Sequence, residues 1–250
     1  MNKLPQITIA FWIMKICATT LGETAGDLLS MTLNIGYAVS SVILLGFFLS
    51  TLLVQLVTKK YRPLIYWLVI LSTSTAGTTI SDYMDRTLEL GYAIGSLILV
   101  ALLILTLTVW KATEKSLSVT DIKSLRGEIF YWTAILFSNT LGTALGDFLA
   151  DNSGLGFSGG AILIGSLLLL IVLAYFLTKI SHVILFWIAF VLTRPFGATF
   201  GDLLTKPLDK GGLDFGTIGS SFFLFIILTL FIVGTIIRIN LNKKNLVRHI

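Results

Sequence analysis

The chain has 250 residues, 55% of them hydrophobic and only 12% charged, with a formal charge of +5 and a mean hydropathy of +0.92. Too few polar residues remain to cover a water-soluble domain of this size, so the composition points to an integral membrane protein. The positive charge does not indicate nucleic acid, because the basic residues fall in short loops and the tail rather than in one interleaved patch.

A bilayer core requires apolar runs of roughly 20 residues. Runs near residues 7–29, 37–57, 64–84, 91–110, 129–149, 157–177, 183–204 and 215–237 meet that need and predict eight spans. The first follows Lys3 in the manner of a secretory signal, but Lys15, Glu23 and Asp27 interrupt it and it aligns with three internal copies. It is therefore read as a span. The single cysteine, Cys17, lies inside that span, which rules out an intrachain disulfide and suggests inert packing.

Internal repetition organises the rest. Gly22-Glu23-Thr24-Ala25-Gly26-Asp27 returns as residues 77–82, 142–147 and 197–202, and each copy has a tryptophan (Trp12, Trp67, Trp132, Trp187) fifteen residues before its aspartate. Each also carries small residues ten and fourteen positions after that tryptophan: Gly22 and Gly26, Gly77 and Ser81, Gly142 and Gly146, Gly197 and Gly201. Such small-xxx-small spacing lets membrane helices pack backbone to backbone. The even spans open on an aromatic, at Tyr37, Tyr92, Phe157 and Phe215, the last after a three-residue insertion within 206–212. The unit is thus a helical hairpin, repeated at about 7–60, 61–115, 127–182 and 183–240. A hydrophilic connector, 111–128, separates the two halves of one transmembrane domain.

Tryptophan spacings of 55, 65 and 55 suggest a duplicated pair of hairpins. Two spans per unit make the repeats parallel, related by an axis along the membrane normal. The reading is an all-α polytopic membrane protein of eight transmembrane helices, with the four odd helices gathered around the axis and their aspartates brought together.

Positions four apart share a helix face, and each odd span shows one polar stripe. These are Lys15, Thr19, Glu23, Asp27; Ile70, Ser74, Thr78, Asp82; Ile135, Asn139, Thr143, Asp147; and Phe190, Arg194, Ala198, Asp202. Lipid would reject such faces, so they point inward. A carboxylate within a span is costly and by default marks a functional site. Glu23, Asp27, Asp82, Asp147 and Asp202, with Thr19, Ser74, Thr78, Asn139 and Thr143, are the candidate ion ligands. Lys15 and Arg194 are candidate countercharges, and two cations are too few for five acids. The alternative is that the acids sit in structural ion pairs near the helix ends.

Oxygen donors of this kind suit hard cations or protons. Zinc or copper chemistry is disfavoured, since Cys17 has no soft partner and the two histidines, His182 and His249, lie on the predicted cytoplasmic side, away from the acids. No Gly-x-Gly-Asp protease motif, phosphate-cradling loop or nucleotide motif occurs, so neither an enzyme nor a cofactor is expected.

The fourfold Trp-x14-Asp hairpins, with Gly-x-x-x-(Gly/Ser)-Asp and the following Gly-(Tyr/Phe), resemble a bacterial membrane-protein family known only as a repeat of unknown function. The resemblance runs from about Phe11 to Ile237 and implies a multi-span protein without established chemistry. Glu23-x-x-Gly26-Asp27 is also similar to the Glu-x-Gly-Asp motifs of manganese and calcium cation/proton exchangers, with one extra residue and Leu28-Leu29 where those carry a basic and a hydroxyl residue. Two readings follow: a small secondary transporter of a hard cation, manganese first, exchanged against protons, or a non-transporting scaffold or regulatory protein. A channel would need an open axial pore. The expected partners are the bilayer and the ion or proton.

Thirteen of the 18 Lys and Arg fall on one predicted side, which by the positive-inside bias places both termini in the cytoplasm of a cell-membrane protein. A reporter fused after Ile250 should therefore read cytoplasmic, while tags near Glu89 and Asn152 should label from outside. The reverse pattern would overturn the topology.

Overall fold

The computed structural model describes residues 3–119, 122 and 124–248, and of 243–248 the backbone alone. The basic side chains Lys123, Lys243, Lys244 and Arg248, with His249 and Ile250, lie outside the described side chains. Eight long helices run in chain order: α1 Ile9–Asp27, α2 Tyr37–Val57, α3 Pro63–Asp82, α4 Gly91–Glu114, α5 Leu125–Asp147, α6 Gly156–Leu177, α7 His182–Thr205 and α8 Gly216–Arg248. The described residues contain no strand.

Six of the eight, all except α1 and α5, are long and apolar enough to cross a membrane. The two exceptions have a physical cause. α1 carries Lys15, Glu23 and Asp27, α5 carries Glu128, Asn139 and Asp147, and all six side chains are buried against protein. The exterior is apolar, with Val57 80%, Leu97 70% and Ile162 70% exposed, so the chain is a helical membrane protein whose lipid-facing surface comes mainly from the even helices.

α1, α3, α5 and α7 form a closed ring, each touching the next and α7 returning to α1. The even helices form an outer layer. Of the apolar window in Pro63–Thr87, 72% is buried, against 17% in Tyr37–Val57. Within this layer the hairpin is not the packing unit. α2 lies on α3, α4 on α5, α6 on α7, and α8 crosses back to α1. Each repeat therefore hands its outer helix to the next repeat.

Two sets of contacts close the ring, and both turn in the same sense. Near the basic end an aromatic precedes each tryptophan and meets the next helix's tryptophan: Phe11 with Trp67 at 5.7 Å, Tyr66 with Trp132 at 5.6 Å, Tyr131 with Trp187 at 6.4 Å and Phe186 with Trp12 at 5.7 Å. Tilted and edge-on pairs at these separations are favourable beyond their burial. Farther along, the first small residue of each motif abuts the following helix. A Cβ on Gly22 would strike Ser74, one on Gly77 would meet Asn139 and Thr140, one on Gly142 would strike Arg194, and one on Gly197 would meet Thr19. The first small residue of each pair thus lies against the following helix in all four repeats.

In the first three repeats the helix widens immediately after the aspartate into a five-residue π-turn, Leu28–Thr32, Tyr83–Thr87 or Phe148–Asn152. A glycine with positive φ then stands at the start of each even helix, just before α2 and as the first residue of α4, α6 and α8: Gly36 (82°), Gly91 (71°), Gly156 (65°) and Gly216 (67°). This left-handed conformation is open to glycine at little cost, and it corrects the register of the fourth repeat. Gly216 aligns with Gly36, so Thr217, not Phe215, takes the place of Tyr37, and the insertion after Asp202 is five residues rather than three. The extra chain forms the short 3-10 turn Leu208–Lys210.

The connector is also shorter than 111–128, because α4 continues to Glu114 and α5 starts at Leu125 with Ser124 capping Gly127 N–H. It is not purely solvated: Val119 is buried and the Leu117 carbonyl accepts from Trp187 Nε1 at 3.1 Å.

At Gly146 an added Cβ would lie 2.7 Å from the Ala198 Cβ. Gly146→Leu should cost about 1–3 kcal/mol or abolish folding, since overpacked contacts force backbone shifts. Gly46, mid-α2 with nothing within 4 Å, is the control, and Gly46→Leu should leave the detergent melting temperature unchanged. An unchanged melt for Gly146→Leu would refute the packing role.

Candidate functional site

Because the four stripes face one axis, they stack as four levels of four residues. The level nearest the aromatic ring holds Lys15, Ile70, Ile135 and Phe190, all fully buried. Lys15 Nζ lies 4.0 Å from the centre of the Phe190 ring and 3.5 Å from Asn139 Oδ1. Among the described residues it makes no ion pair, so its expected role as countercharge to a carboxylate has no contact behind it here.

The second level holds Thr19, Ser74, Asn139 and Arg194. Asn139 Nδ2 donates to Thr73 Oγ1 at 2.9 Å and to Ser74 Oγ at 3.3 Å, tying α5 to α3. Thr19 Oγ1 donates to the Thr193 carbonyl at 3.2 Å, tying α1 to α7. Arg194 rises from this level into the third, among Glu23, Thr78, Thr143 and Ala198. Its Nη1 donates to Glu23 Oε2 at 2.9 Å, and its Nη2 to Thr78 Oγ1 at 2.5 Å and Thr143 Oγ1 at 2.7 Å. Both threonines lie 3.2 Å from the same Glu23 oxygen. One guanidinium therefore joins all four inner helices, and the missing side chain of Gly142 leaves room for its stem. α7 runs as continuous helix through Pro195, the residue beside it.

Asp27, Asp82, Asp147 and Asp202 form the last level, each at most 4% exposed. Two cations that sequence reasoning treated only as loop charges complete it. Arg86 Nε lies 3.0 Å from Asp82 Oδ1 and its Nη2 2.9 Å from Asp147 Oδ2. Lys206 Nζ lies 3.0 Å from both Asp202 Oδ1 and Asp27 Oδ2. The signal was present in the spacing, since each cation stands four residues after its own aspartate. Repeats one and three carry Met31 and Asp151 at that position, so the fourfold ring of acids becomes a twofold arrangement of two bridged pairs. Burial opposes the charge on Lys206, which follows the end of α7, but Asp202 and Asp27 outweigh it and hold the ammonium above the ordinary lysine range.

Five axial carboxylates thus face four cations. Carboxylate oxygens of Glu23, Asp147 and Asp202 lie within 4.8 Å of one another, close enough to share one hard cation. Ser81, read as a packing residue, donates to Asp85 Oδ2 at 3.2 Å, and the other oxygen of that buried acid has no hydrogen-bond partner among the described residues. At the opposite end sequence reasoning missed a second cluster. Glu128 accepts from Lys3 Nζ at 2.7 Å and from Gln55 Nε2 at 3.3 Å, beside a cavity of about 240 Å³. The Tyr66 and Tyr131 hydroxyls meet at 2.7 Å in the aromatic ring.

The model of a family described as Repeat of Unknown Function (DUF347) matches the chain four times, at residues 10–61, 65–116, 130–181 and 185–238. No curated protein and no solved structure matches.

Arg86→Gln should destabilise the protein by about 1–3 kcal/mol, less than for a fully buried pair because Arg86 is partly exposed. Adding Asp82→Asn should recover part of the loss. Thermal unfolding in detergent checks both, and a double variant less stable than Arg86→Gln would contradict the bridge.

Proposed function

This chain belongs to the DUF347 repeat family, and from its axial geometry we propose that it is a small secondary transporter of a hard inorganic cation. All eight long helices cross the cell membrane with both termini cytoplasmic, and the cation exchanges at the axis against protons. The observation that carries the reading is the convergence of Glu23, Asp147 and Asp202 oxygens on the axis, within a set of five buried carboxylates and four cations. Such a set is a standing cost to a protein that only needs to fold, because burying charges in a membrane is unfavourable even when they are paired.

In this reading Asp27, Asp82, Asp147 and Asp202 receive the ion at the outer end, and Glu23, Thr78 and Thr143 pass it inward toward Thr19, Ser74 and Asn139. Arg194 supplies the positive charge in that position when no ion is present. Passage requires its guanidinium to leave the axis, and the aromatic ring beyond Lys15 closes the inner half meanwhile. Divalent ions are favoured by the number of carboxylates, and manganese is the first to test because of the Glu23-x-x-Gly26-Asp27 similarity. No catalytic step belongs to this function.

One observation favours the scaffold reading: Arg86, Lys206 and Arg194 between them already contact all five acids. The two readings part on flux. In cells sensitised to divalent metals, Asp27→Asn and Asp147→Asn should each lose protection while still reaching the membrane, and the parent protein in liposomes should move metal or protons. If both variants protect as the parent does, or if the parent moves neither, the scaffold replaces the transporter.

A further inference from the structure

The end of the bundle opposite the acid ring carries a feature that the axial chemistry does not use. The loop from α2 to α3 places Lys59, Lys60 and Arg62 within four residues, all exposed. None of the three makes an ion pair or a side-chain hydrogen bond among the described residues. Lys3, at the same end, is by contrast neutralised by Glu128. The three free cations rim a groove of about 830 Å³ whose wall is apolar, formed by Leu53, Val54 and Val57 of α2 and Ile65 of α3. Leu53 and Val57 are among the most exposed aliphatic side chains of α2. Pro63 opens α3, and the preceding Arg62 offers no side-chain acceptor to its first-turn amides, so the helix end adds to the positive potential.

We propose that this groove is a binding site for an anionic phospholipid, with the phosphate held by Lys59, Lys60 and Arg62 and an acyl chain lying along Leu53, Val57 and Ile65. The charge complementarity selects an anionic headgroup, and the apolar wall selects a lipid over a free anion, which would use the cations and leave the groove uncovered. The site is single. The loop between α6 and α7 has only Lys179 as a cation, and His182 at the start of α7 packs on Tyr175 with ring centres 4.5 Å apart. The inference stands on the α2–α3 seam and is independent of what passes along the axis.

Native mass spectrometry of the full chain in detergent, titrated with phosphatidylglycerol and separately with phosphatidylcholine, tests it. The variant K59Q/K60Q/R62Q should bind phosphatidylglycerol at least tenfold more weakly than the parent, with phosphatidylcholine binding unchanged. A control variant, K111Q/K115Q/K179Q, removes the same charge from the same end and should bind like the parent. Leu53→Ser with Val57→Ser should also weaken the lipid while leaving the loop charges intact. Three results would overturn the proposal: equal binding by the first variant and the parent; displacement of the lipid by glycerol 3-phosphate at similar concentration, which marks a site for soluble anions; or a dimer in the parent that the loop substitutions abolish, which marks the groove as a contact between copies.

Discussion

Lipid offers no hydrophobic gain for bringing one helix against another, so a helical bundle in a bilayer is held by close contact and polar links between its helices. Here that constraint is met by removing side chains. Gly22, Gly77, Gly142 and Gly197 each meet the following helix at the residue seven positions after its tryptophan: Ser74, Asn139, Arg194 and Thr19. The same geometric step, taken four times in one rotational sense, returns to its starting helix. The residues met at each step belong to the polar stripe, so tight packing and the inward display of polar groups are one arrangement.

Charge then lowers the symmetry. The acids are fourfold, but the bridging cations occur only after Asp82 and Asp202, and the single guanidinium of Arg194 has no counterpart in the other repeats. One ring level after another is differentiated in this way: Lys15 among apolar neighbours, Arg194 among hydroxyl and amide side chains, Glu23 beside two threonines. A repeated backbone thus carries an asymmetric axis.

Much of this was legible in the chain. The Trp-x14-Asp period predicted the gathering of the odd helices, and the four-residue stripe predicted which side chains face the axis. The failures are equally particular. Phe215 was aligned on its aromatic character, whereas the backbone constraint at that turn acts on Gly216, whose positive φ a side chain would strain. Arg86 and Lys206 stand just past their apolar runs, and a run boundary says nothing about a side chain long enough to reach back over its own helix end. The aromatic before each tryptophan escaped notice because a ring contact to the next helix leaves no periodic signal within one helix. The exchange of outer helices between repeats is a matter of tertiary contact, which hairpin-by-hairpin reading does not address.

The return of α8 to α1 bears on how the molecule is made. The Cys17 thiol reaches the Leu224 carbonyl across 207 residues of chain, so α1 waits through the synthesis of all the intervening helices for its outer neighbour. Until then α1, with Lys15, Glu23 and Asp27 on one face, has no complete enclosure. Such remote pairings slow folding and leave intermediates exposed. The nascent bundle is an open arc whose two unmatched edges are complementary, and two such arcs in one bilayer would close on each other by the contacts that a finished chain makes with itself.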